Sequence, residues 1–350
     1  RFREYFLAHP SSRESMAAAW QYALEDEDSA HAYSLATLKD VDWTGRLGVA
    51  RAKEFIERTL ALPALEQHPW LLARHALAHC LLREADRQGA MSLMDSTAEA
   101  LEDAPEDLLL EALMSQAHIG LYDAPQEKTL ALLDRCLALA HDPYARAEAL
   151  RMKGSLICWT PDYEQARALF AEAATLYPPQ DPAHRRMLID QGFLARRKGQ
   201  FEEALQCYRL CVEQAKKADD RVVYRNARGN MVDALVCLGR WQEAIEIGRE
   251  CLKIEEAHGD RYSLLGLLWN LSRPFLEVGE LELSARLMSA SAALWAREIR
   301  PLSADELEEM EEVRTGLSQN LDKSRLDYLW AEGERLTLQE ALALVKKSSF

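Results

Sequence analysis

His75 and His79 stand four residues apart, so a helix through them carries both imidazoles on one face. Two such nitrogens are what a helix offers to zinc. The stretch reads His-Ala-Leu-Ala-His, with Cys80 adjacent, and lacks the glutamate of a helical metalloprotease motif. No third ligand follows nearby, so packing and capping are the expected roles of the pair, and no metal is expected. A second pattern is periodic. Asp190, Asn230 and Asn270 each lie fourteen residues before a small residue: Ala204, Ala244 and Ser284. An asparagine amide both donates and accepts, so a row of them suits an extended peptide backbone. Arg186, Asn226, Asp233, Trp269 and Arg273 fall on the same faces, with Arg151 and Arg197 as further candidates. The arginines suit a carboxylate, which they can grip bidentately. Hydrogen bonding within the repeat, or plain solvation, is the alternative for each. No G-x-S-x-G, kinase signature or triad is present, so neither catalysis nor a cofactor is expected.

These side chains need helices to position them. Gly199-Gln-Phe-Glu-Glu-Ala204 recurs as Gly239-Arg-Trp-Gln-Glu-Ala244, and in weakened form as Gly279-Glu-Leu-Glu-Leu-Ser284. The glycines are 40 residues apart each time. A glycine closes a helix in the left-handed conformation. The aromatic or leucine after it packs back, and the small residue lets two helices approach. Pro161-Asp-Tyr-Glu-Gln-Ala166 is an earlier relative of the same unit, which Tyr177-Pro178 closes. The first half is less regular. Apolar residues at helical spacing predict helices over 11–24, 28–39, 45–61, 69–84, 88–102, 106–121, 127–140 and 144–158. Ser303-Ala-Asp-Glu306 and Thr337-Leu-Gln-Glu340 are capping boxes that start two more. The acidic run 305–312 reads as a solvated helix face.

The composition agrees with helix and excludes several functions. Gly and Pro number only 15 and 12 in 350 residues, too few for many tight turns. The net charge of −15 and the lack of a basic run argue against direct contact with nucleic acid. No run of 18 apolar residues suggests a membrane span, and residues 1–20 carry no signal pattern. Seven cysteines without a C-x-x-C pair read as reduced core thiols of a cytoplasmic protein. Cys207 and Cys211, one turn apart, are expected in packing. The eight tryptophans, at 20, 43, 70, 159, 241, 269, 295 and 330, read mostly as core or wedges between repeats, with Trp269 facing inward. The chain opens on Arg1, which reads as the start of a fragment or a processed chain.

Ala166, Phe170, Ala173 and Pro178 resemble the second helix of a tetratricopeptide repeat. The 40-residue period resembles the long-helix variety found in bacterial signalling proteins. Ala285-Arg-Leu287 through Trp295, Leu302 to Glu311, Trp330-Ala-Glu-Gly333 and Leu336-Thr-Leu-Gln-Glu-Ala341 are similar to the C-termini of AfsR-like and LuxR-like regulators of the STAND ATPase class. Ala17 to Leu24 and Phe55 to Leu60 resemble the first helices after the nucleotide-binding module of those proteins. The chain holds no G-x-x-x-x-G-K-[ST] loop and no DNA-binding module, so the resemblance implies the sensor part alone.

The expected fold is all-α, a right-handed superhelical solenoid of antiparallel tetratricopeptide-like helix pairs. Residues 1–140 form degenerate repeats, 141–298 the regular ones, and 299–350 capping helices. The expected function is sensing of a peptide, a small-molecule effector or a partner protein in a concave groove, through Arg186, Asp190, Asn226, Asn230, Trp269, Asn270 and Arg273. A freestanding scaffold and a peptide-pheromone receptor are the alternatives, and a homo-oligomer is possible.

Overall fold

The computed structural model describes residues 13–37, 47–64, 66–84, 86–123, 126–178, 181–299 and 301–348. Side chains of residues 13–17, 122 and 123 are not described, and Trp43 lies outside the described residues. Among the described residues there are helices, turns and no strand. The helices are α1 Arg13–Glu25, α2 Ser29–Ala36, α3 Val49–Ala61, α4 Gln67–Arg83, α5 Arg87–Ala100, α6 Glu106–Asp123, α7 Gln126–Leu139, α8 Pro143–Ile157 and α9 Tyr163–Leu176. They continue as α10 Ala183–Arg197, α11 Phe201–Lys217, α12 Arg221–Cys237, α13 Trp241–His258, α14 Arg261–Glu277, α15 Leu281–Glu298, α16 Ala304–Ser318, α17 Lys323–Glu334 and α18 Leu338–Lys347. The chain divides into two compact units. One is Arg1–Leu156 with Ala171–Tyr177, and the other Ile157–Phe170 with Pro178–Phe350.

In the second unit α10/α11, α12/α13 and α14/α15 are antiparallel pairs. The glycine between the two helices of each pair takes the left-handed conformation: φ is 74° at Gly199, 68° at Gly239 and 88° at Gly279. The residue after each glycine donates back five residues, Gln200 to Ala195, Arg240 to Leu235 and Glu280 to Phe275, at 2.9–3.0 Å. This is the Schellman closure, which satisfies carbonyls the ending helix would orphan. Ala204, Ala244 and Ser284 are fully buried, as the close approach of paired helices requires. Burial of Tyr208, Leu235, Leu268, Phe275 and their neighbours removes a continuous apolar seam from water, at about 1.5–3 kcal/mol per large side chain.

A second device recurs at the period. Asp220 and Asp260 cap α12 and α14 by accepting from Val223 N and Ser263 N. Each also receives an arginine from the preceding first helix. Arg185 reaches Asp220 at 3.0 Å and Arg225 reaches Asp260 at 3.5 Å. Arg225 additionally meets Glu255 at 3.0 Å, all three groups being buried.

The C-terminal helices fold onto the α14/α15 pair. Their motif is one of packing. Trp330 is buried, Glu332 pairs with Arg286 at 2.9 Å, and Gly333 lies against the α15 backbone. A Cβ at Gly333 would stand 2.6 Å from the Arg286 carbonyl and collide with the Ser289 hydroxyl. The boxes Ser303/Glu306 and Thr337/Glu340 both form.

In the first unit α4/α5 and α6/α7 pair in the same way, and the first helices α4 and α6 lie side by side. Leu71, Ala78, Leu82, Ala112 and Ile119 pack between them and α5. Toward the N-terminus, Trp20 is fully buried, edge-on to Phe55, and donates to Thr59 at 3.0 Å.

Candidate ligand-binding row

The first helices α10, α12 and α14 lie side by side, so residues 40 apart occupy equivalent places on adjacent rods. Asn230 and Asn270 are such a pair, and Asn226 stands one turn before Asn230. Asn226 is exposed, and the other two are half-buried. No hydrogen bond joins any of the three side-chain amides to another described residue. Pro274 sits inside α14. It has no N–H, so the α14 ladder omits the bond to the Asn270 carbonyl.

The charged candidates are spoken for. Arg273 pairs with Glu312 at 3.2 Å. Asp233 holds Arg196 at 2.9 Å. Arg197 donates to the Cys158 carbonyl at 3.2 Å and lies 5.0 Å over the Trp159 ring. In the first unit Arg151 pairs with Glu148 at 3.1 Å. Arg186 is half-buried and Asp190 buried, and both are engaged by other groups of the protein.

Trp269 differs from its expected place on an open inner face. It is buried against Met288, Val313, Leu317 and Trp330. Its Nε1 donates to Glu309 at 2.9 Å. The reason is α16, which crosses the face that α14 would otherwise leave open. The acidic run is correspondingly not all solvated. Burial pushes the Glu309 carboxyl above the usual carboxylate range, the Trp269 bond opposes that, and nearby Asp233 adds to it. Trp159 departs in the opposite sense. It is 57% exposed, leaning on Phe193 at 5.2 Å. Exposed aromatics of this kind are favoured anchors for a partner. Its place beside Pro161 at a unit junction was the available signal.

The cysteines are free and mostly buried. Burial raises the thiols of Cys136, Cys158 and Cys211 to about 12, so they are inert at neutral pH.

Residues 184–257 match the model of the tetratricopeptide repeat. This segment carries tetratricopeptide repeats. The matched span holds two of the three capped glycines and two of the three buried small residues described above. Among solved structures, a Rap protein complexed with Competence and Sporulation Factor is similar over 95% of this chain and 99% of its own, with a TM-score of 0.61 at 11% identity. The Signal Transduction ATPase with Numerous Domains (STAND) protein with a tetratricopeptide repeat sensor from Pyrococcus horikoshii is similar over 97% of this chain, with a TM-score of 0.53 at 15% identity. The chain spans about half, 52%, of that protein's length. No curated protein sequence matches the chain. The fold is thus a tetratricopeptide-like repeat scaffold, a protein-interaction fold, and no described helix is long and apolar enough to cross a membrane.

The imidazole pair of the first unit has company. His75 and His79 lie with Nε2 atoms 3.1 Å apart, and His118 of α6 stands over both, its ring centroid 6.0 Å from the first and 4.9 Å from the second. The third nitrogen that is missing near His75 in sequence comes from the next first helix. The signal was the repeat offset. His68 meets Glu111 at 2.8 Å, and His118 meets His75, each pair being 43 residues apart.

Proposed function

We propose that this chain is the sensor region of a STAND-type signalling protein of the transcription-regulator kind, and that it takes a peptide or an extended protein segment along α10, α12 and α14. The carrying observation is the set of unengaged amides at Asn226, Asn230 and Asn270 in a row whose ionic groups are otherwise paired. An unengaged half-buried amide is open to a ligand's backbone at no cost in broken protein bonds. Trp159 supplies an aromatic anchor on the α10 side. The likeness to the STAND protein and to the Rap complex supports the reading at the level of fold. Binding would act by population shift, the ligand holding the stacked pairs in one of two arrangements.

The test is selection from a displayed random-peptide library on the wild-type chain and on the triple variant N226A/N230A/N270A. The wild type should enrich peptides whose binding the triple variant loses by at least about tenfold, with melting unchanged, since surface substitutions usually stay within about 0.5 kcal/mol. Equal enrichment by both chains would remove these residues from the site.

A further inference from the structure

We propose that His75, His79 and His118 form a binding site for a divalent transition-metal ion, with zinc the natural fit, on the first helices of the first unit. One ligand nitrogen from each residue lies within 4.8 Å of the other two. His75 and His79 present theirs from successive turns of α4, and His118 from α6, so two rods hold the set. In a tetrahedral zinc site with Zn–N bonds of about 2.0–2.1 Å, ligand nitrogens stand about 3.3 Å apart. The pair on α4 is already near that spacing at 3.1 Å. Closing the third side, where separations reach at most 4.8 Å, needs side-chain adjustment of up to about 1.5 Å.

The cluster is costly as mere packing. Its neighbours on the same helices, Leu71, Ala78, Leu82, Ala112 and Ile119, are apolar and buried. Three imidazoles among them bring six ring nitrogens. Nδ1 of His75 is buried without a hydrogen-bond partner, which costs about 1–3 kcal/mol if nothing takes it. A cation would replace the Nε2–Nε2 contact of His75 and His79 with two metal–nitrogen bonds. The three residues are only half-buried.

The electrostatics suit neutral ligands. Burial lowers His75 to about 4 and His79 well below its usual value, with His75, His118 and Arg83 adding to the second effect. Both rings are therefore uncharged near neutrality, the form that ligates. Arg83, four residues beyond His79 on α4, is a nearby cation and opposes binding modestly. The chain's net charge of −15 opposes it not at all. Three protein nitrogens leave a fourth position on the metal, as in open zinc sites, for water or for a carboxylate brought by a ligand. Other histidines do not imitate the cluster. His31, His68 and His141 each face a single carboxylate.

The experiment uses the full chain, freed of metal with a chelator and titrated with Zn2+ alone and then with Co2+ alone. One equivalent should bind, and the Co2+ complex should show the visible bands of tetrahedral nitrogen ligation, without the sulfur-to-metal charge transfer that a cysteine site gives. H118Q should weaken Zn2+ by more than the roughly 10–100-fold that loss of an outer-shell partner costs. H141Q should leave affinity unchanged. Zn2+ should also raise the wild-type melting temperature and not that of H118Q, whose folding is checked by its unchanged circular dichroism. Should H118Q not fold, H79Q replaces it, and the wild-type stoichiometry and Co2+ spectrum still decide. Absence of a bound equivalent, a thiolate spectrum, or full affinity in a folded H118Q or H79Q would each overturn the site.

Discussion

The two units use the same scaffold and leave different chemistry on it. In the second, the first helices are laced by ions. Arg185 reaches Asp220, Arg225 reaches Asp260, Arg196 reaches Asp233 and Arg273 reaches Glu312. What remains unengaged there is a set of amides. In the first, α4 and α6 bring three imidazoles together. A repeat scaffold assigns binding capacity by subtraction. A group paired with its neighbour steadies the array, and a group left over is offered to something else. On the readings proposed above, the second unit takes a chain of peptide bonds and the first an ion.

The sharpest way to break this contrast is at the ion lacing itself. R225A leaves Glu255 and Asp260 as buried charges without their cation, so it should cost about 3–5 kcal/mol. R185A, one period earlier but partly exposed, should cost under about 1 kcal/mol. Urea titration of both variants reads the difference, and equal costs would mean that the lacing is decorative. A smaller effect is expected at the other side of the row. G333A drives a methyl into the α15 backbone and should destabilise the second unit by about 1–3 kcal/mol. Hydrogen exchange should then quicken in α17 and α15 first. The smallest effect concerns Glu309. Its folded carboxyl holds a proton more tightly than in the unfolded chain. Stability is therefore given up as pH rises from the usual carboxylate range, about 4.3, through the raised value. E309Q keeps an acceptor for Trp269 and removes the titration. Its melting temperature should vary less with pH in that window than the wild type's does.

Much of the fold was legible because helix period and capping chemistry are local. The eight helices expected in the first half match α1 to α8; the boundaries on described residues agree to within two residues, and the expected ends at 11, 39 and 45 lie outside the described residues. Gly199, Gly239 and Gly279 declared their conformation by type and position, and both capping boxes formed as written. The candidate row was legible where the period is strict. Asn230 and Asn270 could be aligned by counting from Ala244 and Ser284. It was illegible where geometry is tertiary. Trp269 shares the period of its neighbours, but α16 folds back over it, and nothing local to residue 269 announces that. His118 escaped because the offset in the first half is 43 residues rather than 40, which a search for a third ligand near His75 does not reach. Arg225 escaped for a related reason. Its partners Glu255 and Asp260 come from two different helices.

The cover over Trp269 has a further consequence. Each helix pair in such an array is shaped to receive another like itself, so a bare terminal face is an adhesive surface for a second molecule. Molecules that add head to tail through such faces close into a ring where the rotation permits, and otherwise run on as fibres. By seating Glu309 on the indole and burying the face beneath Val313, Leu317 and Trp330, α16 and α17 act as a chain terminator in the polymer chemist's sense.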